Sequence, residues 1–312
     1  MKNKYLGKIG GQALIEGVMM RGVDKYAMSI RLPNGEIDTE ISPIAKKSKF
    51  SKIPIIRGVL GFIDSLALGY KCLTKSAEKS GFADEADAES KFEKWLLDKC
   101  GDKLGGIVAT IGAFLGIILA VALFMILPSY LVKLLDSVFP LGGFKALFEG
   151  LIKIIIFIAY LALVSQQKDI KRVFQYHGAE HKTIFCFEKE LPLTAENAQM
   201  QSRFHPRCGT SFIIIILVIS ILIFSLPIIT WDNILLRTVI KLALMPLVMG
   251  ISYEFLRYAG KHNNFIVKIL SAPGLWVQRL TTKEPDLSQL EVAIEALKGA
   301  LPDECKDEYK QA

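Results

Sequence analysis

Histidine and cysteine are scarce in this 312-residue chain, with four of the first and five of the second. Cys72, Cys100, Cys186, Cys208 and Cys305 are odd in number, far apart and form no CxxC pair, which excludes a disulfide framework and fits a reducing compartment. The first dozen residues, MKNKYLGKIGGQ, lack the apolar run of a signal-peptide core, so no cleavage is expected there. The glycine-rich stretch Gly10–Gly22 has neither GxGxxG nor a GK[ST] ending, so it is not a phosphate-binding loop. Internal repeats and low-complexity tracts are absent from the sequence.

Apolar residues, by contrast, are abundant, at 51% with a mean hydropathy of +0.36, more than a soluble domain needs for its core. The bilayer is the expected second solvent. The net charge of +7 is dispersed among acidic neighbours, so attraction to anionic lipid explains it and no nucleic-acid partner is expected.

A membrane span needs about 20 apolar residues, and four segments qualify: residues 104–127, stopped by Pro128; 147–165, with Lys153 close enough to one end to snorkel; 211–230; and 234–255, with Arg237 and Lys241 reaching the interface. Lys168, Lys171, Arg172, Lys182, Arg203 and Arg207 crowd the segment between the second and third spans, which places residues 166–210 and both termini in the cytoplasm of a bacterial inner-membrane protein. Residues 53–73 carry Arg57, Asp64 and Lys71 at intervals of seven and read as an amphipathic helix lying on the membrane, with a fifth span the alternative. YAMSIRL and IDTEIS, joined by Pro33-Asn34-Gly35, read as a β-hairpin. Residues 80–103 read as a charged connector. After Pro285, an amphipathic helix presents Leu287, Leu290, Val292, Ile294 and Leu297.

The expected fold is thus mostly α: about four transmembrane helices with a cytoplasmic α+β cap containing a small β-hairpin. Its divisions are an N-terminal region (1–103), spans one and two (104–165), a cytoplasmic insert (166–210), spans three and four (211–258) and a cytoplasmic C-terminal helix (259–312).

Metal-capable residues concentrate in the insert. In His177-Gly178-Ala179-Glu180-His181, a helix continuing out of span two places both imidazoles one turn apart with Glu180 beside them. That arrangement suits a divalent ion such as zinc, with Glu180 polarising water or becoming a ligand. His205-Pro206-Arg207-Cys208 supplies a third donor, and Arg207 favours the thiolate. Glu254 offers a carboxylate from span four, or else pairs with Arg257 at the helix end. His262 reads as an exposed turn residue and Cys186 as packed apolar surface. Gln12, Glu16 and Arg21 stand among the apolar residues of the Gly10–Gly22 stretch and require a buried polar network, a ligand pocket or a turn into the hairpin.

GGQALIEGVMMRG, YHGAEHKTIFCFE, HPRCGTSF, ISYEFLRYAG and PGLWVQRLTTKEPDLSQLEVAIEAL, in that order, resemble the DUF1385 family of YqhQ-like bacterial membrane proteins. The resemblance implies a metal-dependent enzyme, and it places Gln12, Glu16, Arg21, His177, Glu180, His181, His205, Arg207, Cys208 and Glu254 inside matching motifs.

Two functions follow as expectations. One is a metal-dependent hydrolase of lipid-linked or membrane-proximal substrates, with Glu180 activating water and Arg21 or Arg207 stabilising an anion. The other is a scaffold or assembly factor whose metal is structural or absent. A transporter ranks third, because the spans show neither midplane charges nor broken helices.

Overall fold

The computed structural model describes residues 5, 7–45, 49–81, 104–226, 231–259 and 265–302, with backbone alone at 49, 104–110, 210–211 and 266–271. His262, Cys100 and Cys305 lie outside the described residues, as does the connector from residue 82 to 103. The chain divides into two compact units: residues 1–83, 161–216 and 249–312 form one, and 84–160 and 217–248 the other.

The first unit is built on a four-stranded antiparallel meander in the order β1 (Gly10–Leu14), β2 (Gly17–Arg21), β3 (Lys25–Arg31), β4 (Ile37–Pro43). The expected hairpin is its second half, closed by Gly35 at φ +87 and by Asn34 Oδ1 accepting from the Glu36 amide at 3.0 Å. The glycine-rich stretch is not a turn leading into that hairpin. It forms two further strands, paired in register from Gly10↔Arg21 to Leu14↔Gly17.

Strand parity sorts the sheet. Leu14, Met19, Met28 and Ile30 pack with Cys72 on one face, under α1 (Ile56–Lys79). Val18, Met20 and Ala27 pack on the other, against α5 (Lys168–Glu188) and α10 (Leu287–Ala300). Helix α10 opens with an Asp286/Gln289 capping box and is amphipathic as expected, burying Leu290, Val292, Ile294 and Leu297 and turning Glu291, Glu295 and Lys298 outward. Leu287, assigned to its apolar face, is 48% exposed.

Helix α1 is not among the described helices apolar enough to cross a bilayer. Its C-terminal half is tied to β4 by Lys75–Glu40 and Lys79–Asp38, both 2.6 Å, and Ser76 is buried beside the β1–β2 turn. Its N-terminal end docks on α8 (Ile234–Ala259) through Arg57–Glu254, with Gly58 against Tyr253, and Phe62 meets Phe212 of α7 (Gly209–Phe224) at 5.9 Å.

The other helices are α2 (Leu104–Val121), α3 (Leu127–Val138), α4 (Lys145–Val164), α6 (Ala195–Gln199) and α9 (Phe265–Thr281). Three stretches are long and apolar enough to cross a bilayer: Ile111–Val138, Gly142–Val164 and Ile234–Ala259. They mark the chain as a membrane protein, and Phe114, Ile117, Ile155 and Leu163 on them are each more than half exposed, as side chains covered by lipid would be. Phe212–Phe224 is apolar but shorter, and part of the expected span 211–230 lies outside the described residues.

Pro128 does not stop the first span. A π-helical turn at Ala122–Ile126 absorbs its missing N–H and the helix resumes as α3. Nor does the second span run on into the motif helix: α4 ends at Val164 and a turn at 165–167 separates it from α5.

Inside the second unit Lys153, Arg237 and Lys241, expected to reach the interface, are buried at 6%, 1% and 0% exposure. Glu149, itself 3% exposed, accepts from Lys241, from Arg237 at 2.7 Å and from Ser129 at 2.7 Å, while Trp231 stacks on the Arg237 guanidinium at 3.6 Å. The helices therefore do hold interior charges and a broken turn, contrary to the reading that set transport aside.

Candidate metal centre

Helix α5 presents the two histidines of its motif one turn apart, with ring centroids 4.4 Å from each other. The loop before α7 brings Cys208 to them, its Sγ 3.2 Å from His177 Nε2. Donor atoms of His177, His181 and Cys208 all lie within 4.8 Å of one another.

Backbone carbonyls set the histidine tautomers. His177 Nδ1 faces the Thr281 carbonyl at 2.8 Å and His181 Nδ1 faces the Arg203 carbonyl at 2.5 Å. A carbonyl oxygen only accepts, so both protons sit on Nδ1 and both Nε2 atoms keep their lone pairs. His181 Nε2 is buried with no hydrogen-bond partner among the described residues. Carbonyls orienting ligand imidazoles from behind are the usual outer support of a metal site, and two nitrogens with a sulfur suit zinc. The residues present fit such an ion.

Glu180 lies beside this group, 5% exposed, with Oε2 4.0 Å from His177 Nε2. Burial raises its pKa, against the opposing pull of His177 and the Gly11 amide that donates to it. A Cβ on Gly11 would stand 2.8 Å from Glu180 Cγ and 2.9 Å from Oε1, so β1 approaches the carboxylate only because position 11 has no side chain. Burial likewise holds the His181 pKa below its ordinary value.

The remaining expected residues fall elsewhere. His205 packs beside His181 with centroids 5.5 Å apart, but its Nδ1 accepts from the Arg207 amide and its Nε2 lies 3.6 Å from Glu188. Arg207 pairs with that same Glu188, which explains why its guanidinium is not on the Cys208 thiol. Glu254 is not in the cluster, since Arg57 and the Ile55 amide take its oxygens. Gln12, Glu16 and Arg21 are not one network: Gln12 packs on Gly69, Arg21 faces α1, and Glu16, at φ +51 in the β1–β2 turn, receives Arg172 and the Tyr176 hydroxyl. Burial, then the Glu16 charge, push the Tyr176 phenol up.

Three positioning residues were missed. Gln278 clamps the loop by accepting from the His205 amide at 2.8 Å and donating to its carbonyl at 2.7 Å. Thr281 holds His177 through its backbone, which no side-chain motif reveals. Glu188 gathers His205 and Arg207, and burial, which would raise its pKa, is outweighed by those two partners. A single glutamine within the apolar PGLWVQRL was the available signal for Gln278.

No solved structure matches this chain. The profile of the family described as "Protein of unknown function (DUF1385)" matches residues 53–303. "Uncharacterized protein YqhQ" of Bacillus subtilis (strain 168) is 38% identical over 314 residues, covering 99% of this chain and 97% of its own. By that extent of match, the chain belongs to the DUF1385 family.

Proposed function

We propose that this protein is a metal-dependent hydrolase of the bacterial inner membrane, with four spans and its metal centre at the cytoplasmic surface. The observation that carries the reading is the pair of imidazoles fixed as the same tautomer, with both Nε2 atoms and a cysteine sulfur converging beside a buried carboxylate. His177, His181 and Cys208 would hold the ion, which supplies Lewis acidity to water and to the group under attack. Glu180 takes the proton of the attacking water on its carboxylate and returns it to the leaving group. Arg207, engaged with Glu188, serves by holding the His205–Cys208 loop. The lysine- and arginine-rich 166–210 segment supports the cytoplasmic orientation, and its position in the chain directly after an apolar stretch suits lipid-linked or membrane-proximal substrates.

A second reading, a scaffold with a closed structural site, is favoured by the burial of Glu180, which could complete four protein ligands. Elemental analysis of the detergent-purified full-length protein decides first. About one metal per chain, lost in His177→Ala and in His181→Ala while both stay monodisperse, supports the site; no metal in the wild type, even after anaerobic purification with zinc, sinks both metal readings. Cobalt substitution then separates them. A spectrum that changes with added anions indicates an open position and hydrolysis, and an inert tetrahedral spectrum that Glu180→Gln alters indicates a closed one.

A further inference from the structure

On the face of the sheet away from the histidines, a cleft of about 480 Å³ separates the ends of β2 and β3 from α1, a size typical of small-ligand sites (roughly 300–1,000 Å³). Arg21, Tyr26, Asp64 and Lys71 line it together with Leu60 and Ala67. Among the described residues no hydrogen bond or ion pair engages the side chains of Arg21, Asp64 or Lys71, and Asp64 and Lys71 are exposed, so all three are available to a ligand entering from outside.

Helix α1 fixes the depth of this cleft. Ile56, Ile63, Leu66, Tyr70 and Leu73 are 39–59% exposed and fall on one stripe, while Gly58, Gly69, Cys72 and Ser76 form the buried face toward the sheet and α8. At about 100° per residue, the cleft-lining positions 60, 64, 67, 68 and 71 centre roughly 110° from the apolar stripe, between it and the buried face. The helix is anchored by Arg57 on Glu254, near the end of an apolar span, and by Phe62 on Phe212. With the stripe immersed in acyl chains, the adjoining wall lies at headgroup level.

We propose that this cleft binds the headgroup of a membrane phospholipid. The phosphodiester sits between Arg21 and Lys71, and Asp64 accepts from a headgroup tail that carries N–H or O–H donors, as ethanolamine and glycerol do and choline does not. The acyl chains run down the exposed stripe of α1. This site is separate from the metal centre: β1 turns Gly11 to Glu180 and Gln12 to Gly69, so the sheet stands between them.

The test is lipid retention by native mass spectrometry, using full-length protein in micelles doped with phosphatidylethanolamine, phosphatidylglycerol or phosphatidylcholine. One ethanolamine or glycerol lipid should be kept in preference to choline. Arg21→Gln/Lys71→Gln should weaken that retention about tenfold or more, in line with the loss of two charge-assisted contacts. Asp64→Asn should abolish the preference over choline. Ala67→Trp, which fills the cleft without changing charge, should displace the lipid, and it decides the matter if the double variant does not fold. Equal retention of all three lipids, or retention untouched by Ala67→Trp, overturns the proposal.

Discussion

Replacing Glu149 by glutamine keeps the shape of a buried side chain and removes the charge that Lys241 and Arg237 both use. Those cations are 0% and 1% exposed, so the substitution removes their shared carboxylate where solvent scarcely reaches them. Removing one partner of a buried ion pair costs about 3–5 kcal/mol. In a chain of this size about 1 kcal/mol moves the melting temperature by roughly 2–4 °C, which predicts a fall of about 10 °C. Lys153 provides the internal control. Its ammonium faces the Phe224 ring at 5.4 Å and, among the described residues, makes no hydrogen bond, so Lys153→Met should leave stability unchanged or raise it. Intrinsic-fluorescence melting of detergent-solubilised protein at one fixed heating rate measures both, the fixed rate being needed because irreversible unfolding depends on it. If Glu149→Gln melts within about 2 °C of wild type, or Lys153→Met falls as far as Glu149→Gln, the charge reasoning is refuted.

Gly11→Ala should cost about 1–3 kcal/mol by overpacking against Glu180 and the Met19 carbonyl, and it should alter the cobalt spectrum where a distant glycine substitution such as Gly143→Ala does not. A Cβ at Gly178 would strike the Lys283 carbonyl and push away the segment that carries Thr281, so Gly178→Ala should lower metal content without touching a ligand. Chelation of a metal present at about 100 times its dissociation constant should remove about 2.7 kcal/mol of stability, restored by zinc and absent in His181→Ala. Asp286→Ala should cost about 1 kcal/mol through loss of the α10 cap. Burial raises the Asp286 pKa, but the Ser288 and Gln289 hydrogen bonds lower it more, so the net shift is downward. Its contribution should hold above the ordinary aspartate pKa and be lost as pH falls through the lowered one, as pH-dependent melting of Asp286→Ala against wild type would show.

What the sequence disclosed was local. The 177–181 spacing follows from helical periodicity alone, and the Pro33-Asn34-Gly35 turn from the positive φ at Gly35. What it concealed was pairing over long separations. Glu254 looked available for a metal because its partner Arg57 stands 197 positions earlier. Lys153, Arg237 and Lys241 looked interfacial because charges near span ends commonly are, and nothing local announces that Glu149 gathers two of them inside the bundle. Strands β1 and β2 were illegible for a different reason. Strand β2 is covered on both faces and so loses its alternation, and glycines at 10, 11 and 17, in place of β-branched residues, erase the compositional cue in both.

Helix α10 is the last of the described elements to leave the ribosome, yet it covers the face of a sheet that begins at Gly10. Val18, Met20 and Ala27 therefore have only the cover of α5 until this last helix is made. The Thr281 carbonyl behind His177 arrives almost as late. A chain halted before residue 281 thus has the histidine without the carbonyl that fixes its proton.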